Sequence, residues 1–181
     1  MFVVNLCTVT PVRQKPSESS EQLTQLLFGE ICELLDSLPR WTKIRSTMDG
    51  QEGWVDVKML SPVYNQLPIA SHLPNASVAV PMAVATDMET GEELMLTLGT
   101  PLFNYAHGTF EVLNKKYLIA PSCVNSTEQL LNSDTSRAEL LNNVCSTAQT
   151  LLNAPYLWGG KNIMGIDCSG FTQVVYSVFG V

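Results

Sequence analysis

The residues best suited to chemistry lie near the end of the chain, where Ala154 to Phe171 reads APYLWGGKNIMGIDCSGF. Asp167, Cys168, Ser169 and Gly170 stand just ahead of a run in which Phe171, Val174, Val175 and Val178 recur at helical spacing. A cysteine attacks as its thiolate, and the start of a helix favours that anion through free backbone N–H groups and the helix dipole. The pattern predicts Cys168 at the mouth of a helix, with Asp167 as N-cap accepting from the first free amides and the apolar face packed inward. Upstream, Gly159, Gly160 and Gly165 allow tight turns and a close approach of substrate to the backbone. Nucleophilic catalysis by a thiol is the chemistry such an arrangement could do. A cysteine standing alone reads instead as a small buried hydrophobe.

The elements that must position this segment are mostly strands. Residues 1 to 62 read as short strands broken by turns: Phe2 to Val9, a polar loop from Lys15 to Ser20, and Leu23 to Leu35 alternating around Gly29. Trp41 to Arg45, a turn at Asp49-Gly50, and Gly53-Trp54-Val55 leading to Leu60 complete the unit. About five strands in so short a length predict a small closed barrel, because closure protects the sheet edges. Phe28, Trp41 and Trp54 are expected in its core. Residues 63 to 77 read as a linker, and a second β-rich unit follows over 78 to 124, with strands at Val80–Val84, Glu93–Leu98, Pro101–Asn104, Thr109–Leu113 and Tyr117–Ala120. Residues 125 to 136 read as another linker. From Arg137 to Asn153, Leu140, Leu141, Val144, Cys145, Ala148, Leu151 and Leu152 share one helical face, which places Cys145 in a core.

PYLWGG followed by GIDCSGF resembles the signature of the NlpC/P60 cysteine peptidases, papain-like enzymes of bacterial cell-wall metabolism. These enzymes cut the γ-D-glutamyl to diamino-acid bond of peptidoglycan stem peptides. The resemblance implies Cys168 as nucleophile, Tyr156 as a hydroxyl donor close to the oxyanion, Trp158 as a pocket wall, and Asp167 and Ser169 as substrate-positioning groups. It also implies that helix 137–153 packs on the cysteine helix. In the family the base and the group orienting it follow that helix on strands, whereas Val181 falls inside or just after it. His72 and His107 lie upstream in loop-like segments. The expectation is the helical, nucleophile-bearing front of a papain-like domain (residues 137–181), inactive as it stands, with apolar faces left uncovered.

PVRQKPSESSEQLTQLLFGE, WTKIR and EGWV together resemble a bacterial SH3-like domain, and the second β-rich unit is expected to be a divergent copy. The fold class is therefore mainly β with an α+β fragment: two small SH3-like barrels, then the front of the catalytic lobe. In relatives with this order an acidic residue and a tyrosine of the first barrel hold the free amine of the stem peptide's L-Ala. Glu21 and Glu30 are candidates for the acid, though a solvated face is expected for both, and Gln51 stands where the tyrosine would fall.

A net charge of −7 without a Lys/Arg cluster argues against nucleic acid and anionic membrane surfaces, both of which reward basic patches. An apolar content of 45% suits a globular protein, and no run reaches transmembrane length. Cys7, Cys32, Cys123, Cys145 and Cys168 are scattered without metal-ligand spacing, which favours free thiols and a cytoplasmic location, export being the alternative if a signal lies upstream. The resemblance implies no metal or organic cofactor, and a stem peptide (L-Ala-γ-D-Glu-diamino acid) as partner. Turnover or recycling of muropeptides is the expected activity. A non-catalytic module binding cell-wall peptides, with a remnant enzyme domain, is the alternative, and amidase or acyltransferase work on the same nucleophile ranks third.

Overall fold

The computed structural model describes residues 1–63, 73–126 and 137–180. His72 and most of both expected linkers lie outside the described residues. The first unit is a seven-stranded antiparallel sheet built from β1 (Phe2–Asn5), β2 (Val9–Arg13), β3 (Gln22–Leu27), β4 (Ile31–Ser37), β5 (Trp41–Ser46), β6 (Glu52–Asp56) and β7 (Leu60–Val63). Their order across the sheet is β3-β2-β6-β5-β4-β1-β7. Alternation along the strands sends Val3, Val12, Leu26, Cys32, Ile44 and Val55 into one core.

The second unit repeats the plan with β8 (Ala76–Val78), β9 (Met82–Asp87), β10 (Glu93–Thr97), β11 (Pro101–Ala106), β12 (Thr109–Val112), β13 (Lys115–Ile119) and β14 (Val124–Ser126), ordered β10-β9-β13-β12-β11-β8-β14. The fold is mainly β, as expected, but neither sheet closes into the expected barrel, since each strand order has two ends. Exposed sheet edges invite unwanted pairing unless something covers them, and one edge of each sheet meets another part of the chain. The carbonyl of Met95 on the edge strand β10 accepts from the Thr8 hydroxyl of the first unit at 2.8 Å. Edge strand β3 is covered by the segment that leads to Cys168, through Gln22 and Gln25. Both sheets also carry more strands than expected, partly because β8 forms within residues read as linker.

Aromatic packing joins the two sheets. Phe28 is 2% exposed and meets Tyr117 edge-on at 5.5 Å, while Tyr117 stacks on Phe110 at 5.2 Å. Phe28 and Val4 thus belong to the core of the second sheet, with Val78, Leu96, Leu102 and Ile119. Trp41 is buried as expected, whereas Trp54 is only half-buried.

Among the described residues two α-helices follow, α1 (Arg137–Gln149) and α2 (Cys168–Ser177). α1 ends earlier than its periodicity suggests, and residues 150 to 153 form turns, with Asn153 in the left-handed region at φ 68°. Cys145 is exposed rather than part of a core, as are Leu140, Leu141 and Leu152. The reason is geometric: among the described residues Val144, Ala148 and Leu151 are the positions of this segment that meet the cluster around α2, and the rest of the apolar stripe faces away. No helix among the described residues is long and apolar enough to cross a membrane.

Removing the Phe28 ring opens a cavity shared by both sheets, so Phe28→Ala should cost about 3–5 kcal/mol of unfolding free energy. Urea denaturation followed by far-UV circular dichroism checks this; a loss under about 1 kcal/mol contradicts the shared core.

Candidate active site

Local chemistry explains why α2 begins at Cys168. Asp167 adopts extended backbone (φ −108°, ψ −178°), and its carboxylate caps the helix by accepting from the Gly170 N–H at 2.7 Å. The same oxygen accepts from the Ser169 hydroxyl at 2.8 Å, and the second oxygen accepts from the Gly159 N–H at 2.8 Å. Burial acts to raise the Asp167 pKa, but hydrogen bonds from Gly170, Ser169 and Gly159 outweigh it and hold the carboxyl below its ordinary value. Asp167 is therefore an ionised cap that also fastens the upstream glycine turn to the helix start.

That turn leads into a small hairpin of β15 (Lys161–Asn162) and β16 (Gly165–Ile166). The Asp167 N–H donates to the Gly160 carbonyl at 3.2 Å, and the first turn of α2 lies so close that a Cβ on Gly170 would fall 2.0 Å from that oxygen. Only glycine permits this approach. Tyr156 runs beside β16 in a parallel bridge with Ile166, supported by Leu157 N–H to Ile166 O at 3.2 Å and Ile166 N–H to Pro155 O at 3.0 Å. Tyr156 is thereby brought alongside the residues immediately preceding Cys168.

All five expected site residues sit in this one assembly. Cys168 and Ser169 are exposed at the helix mouth, and the Tyr156 and Trp158 side chains stand well out into solvent, at 70% and 59% exposure. Ser169 points its hydroxyl at Asp167, so in this state it reinforces the cap. Trp158 is anchored by its backbone, whose carbonyl accepts from Gln22 at 3.0 Å. His107 occupies the turn between β11 and β12 of the second sheet, with φ 51°, and is not part of this assembly.

The far end of α2 is fixed by the second sheet. Ser77 donates to the Ser177 carbonyl at 3.3 Å and Asn125 to the Val178 carbonyl at 3.1 Å, satisfying acceptors that a helix end leaves open. Gly99, at φ 81°, lets the β10–β11 turn rest directly on the helix, since a Cβ there would lie 2.8 Å from the Ser177 hydroxyl.

Sequence reasoning missed the contacts that tie the hairpin to the first sheet. Gln25 accepts from the Lys161 N–H at 2.8 Å and from the Asn162 side chain at 2.9 Å, and Lys161 pairs with Glu30 at 3.3 Å. Glu30 is 4% exposed, which corrects its expected place on a solvated face; Glu21 is exposed as expected. The available signal was a lone lysine inside the otherwise apolar and glycine-rich PYLWGGKNIMG run.

Comparison with known proteins agrees with this geometry. Residues 8–61 match the bacterial SH3 domain family, and residues 153–181 match the NlpC/P60 family. A gamma-D-glutamyl-L-lysine dipeptidyl-peptidase from Bacillus cereus is 25% identical over 170 residues, covering 87% of this chain and 50% of that protein. The enzyme of the same name from Bacillus subtilis is 25% identical over 169 residues, covering 86% of this chain and 52% of its own length. The chain thus spans about half the length of the curated relatives it matches. A crystal structure of an NlpC/P60 family protein from Bacillus cereus superposes with a TM-score of 0.76 at 19% identity, covering 100% of this chain and 73% of that one, a likeness of fold.

Because the folded-state pKa of Asp167 is depressed, the stability it contributes is present above the ordinary carboxylate pKa and lost as pH falls through the lowered value. Asp167→Ala should cost about 0.5–2 kcal/mol at neutral pH. Denaturation across a pH series checks this: the gap between the two proteins should persist through mildly acidic pH and close in stronger acid, and a gap independent of pH contradicts the ionised cap.

Proposed function

We propose that this chain, which joins a bacterial SH3 domain to an NlpC/P60 segment, carries the nucleophile of a cysteine peptidase acting on the γ-D-glutamyl to diamino-acid bond of peptidoglycan stem peptides. The observation that carries this reading is Cys168, exposed at a helix start capped by Asp167, with Tyr156 bridged to Ile166 two residues upstream. In the reaction the Cys168 sulfur attacks the γ-carbonyl carbon, the oxyanion is held by the Cys168 backbone N–H and the Tyr156 hydroxyl, and the C–N bond breaks as the departing amine takes a proton. Water then cleaves the thioester and restores the thiol.

Trp158, exposed on the segment leading to Cys168, would supply a wall for the peptide. The first sheet reaches the same edge through Gln22, so it borders the substrate as well as supporting the loop. The proton-accepting base is assigned to residues outside 1–181, in line with relatives about twice as long, so residues 1–181 alone are proposed to be inactive. Five free cysteines suit a reducing compartment, which supports a role in recycling muropeptides in the cytoplasm.

In enzyme that contains the base, Cys168→Ala should lower turnover of L-Ala-γ-D-Glu-diamino acid by about 10⁴-fold or more while the fold is kept. Tyr156→Phe should lower kcat about 10²-fold with KM little changed, as expected for a donor that strengthens in the transition state. Chromatographic assay of the released diamino acid checks both, and retained activity in the Cys168 variant contradicts the assignment.

A further inference from the structure

Three contacts join the hairpin ahead of Cys168 to strand β3 and the turn after it, and they differ in kind. Gln22 donates to the Trp158 carbonyl at the exposed rim, at 3.0 Å. Gln25, 7% exposed, uses one oxygen to accept from both Lys161 and Asn162. Deeper still, Lys161 and Glu30 form an ion pair with side chains 8% and 5% exposed. Two buried charges are an expensive way to join surfaces that already share an apolar cluster, because desolvation offsets much of their attraction. Burial pushes the Glu30 carboxyl up, with Lys161 opposing and Asp49 adding to the rise, and its second oxygen, Oε2, has no hydrogen-bond partner among the described residues. Such a pair adds little stability. What it does fix is a place: Lys161 is covalently next to Gly160, whose carbonyl receives the Asp167 N–H and abuts Gly170 in the first turn of α2. The pair also lines a cleft of about 130 Å³ together with Gln173, Val174 and Ser177 of α2.

We propose that Glu30 and Gln25 of the first sheet are positioning residues for Cys168, acting through Lys161 and Asn162 to hold the hairpin that sets the start of the cysteine helix. The proposal rests on the peptidase reading, and it gives the SH3-like sheet a part in the nucleophile's geometry as well as in bordering the cleft. It separates two roles that a simple deletion would confuse. If the pair is structural only, removing both charges together should leave the helix start unchanged once stability is retained. If it positions, the stability returns and the reactivity does not.

The test uses the whole 181-residue chain. Iodoacetamide alkylation at mildly acidic pH is followed residue by residue by mass spectrometry, with exposed Cys145 as internal reference and the thermal midpoint measured in parallel. In the double variant E30Q/K161M the midpoint should stay near that of the parent, while the Cys168 rate relative to Cys145 falls roughly threefold to tenfold, the size of a lost helix-terminus contribution. Gln25→Leu should give the same fall without changing any charge, and Gln25→Glu, which keeps the acceptor oxygen, should retain the parent rate. Should the double variant lose its fold, the Gln25 pair decides. A parent-like Cys168 rate in the folded double variant and in Gln25→Leu overturns the proposal alone. A Cys168 no faster than Cys145 in the unaltered chain overturns the peptidase reading and the proposal with it.

Discussion

One apolar cluster holds this molecule in its functional shape. Val174, Val175 and Val178 on the inner face of α2 pack with Leu27 of the first sheet, Leu98 of the second, and Leu151 and Ile166 of the flanking segment. Each of these side chains is at most 8% exposed, so each contributes on the order of 1.5–3 kcal/mol of transfer free energy. No unit supplies the cluster alone. The cysteine helix is short, and a helix of this length is marginal unless its apolar face is buried, so the two sheets are what make it a helix at all.

Apolar burial brings the pieces together but tolerates sliding, and the polar contacts remove that freedom. At one end Asp167 pins the start of α2 to Gly159 and Gly170; at the other, Ser77 and Asn125 take up its last carbonyls. Glycine at 170 lets the helix rest against the Gly160 carbonyl. The result is a cysteine, Cys168, whose backbone is held on both sides while its side chain stays open to solvent. Such an arrangement is what the proposed reaction would need, with a peptide admitted and the attacking sulfur kept in place.

Much of this was legible in the sequence, for definite physical reasons. The N-cap and the helical spacing of Val174, Val175 and Val178 are local signals that the structure follows, but Phe171, expected on the same inner face, lies a turn nearer the helix mouth and is exposed. The strands were also readable, because alternation is local, although their number and the open sheet edges were not. Edge protection came from other parts of the chain, Thr8 on β10 and the hairpin on β3, and such long-range partners leave no local pattern. Cys145 and Glu30 were misplaced for the same reason. A helical stripe says which residues share a face but not whether anything covers it, and a glutamate after a turn glycine reads as solvated until a lysine 131 residues later is seen against it.

We infer that Cys168 is a nucleophile built to meet a γ-glutamyl carbonyl. This is tested most directly by treating the protein with an electrophilic ketone derived from L-Ala-γ-D-Glu and mapping the adduct by mass spectrometry. One adduct is expected, on Cys168, suppressed by excess free L-Ala-γ-D-Glu dipeptide. Labelling that spreads to Cys145 and the half-buried Cys7 and Cys123, or that the dipeptide does not suppress, would contradict it.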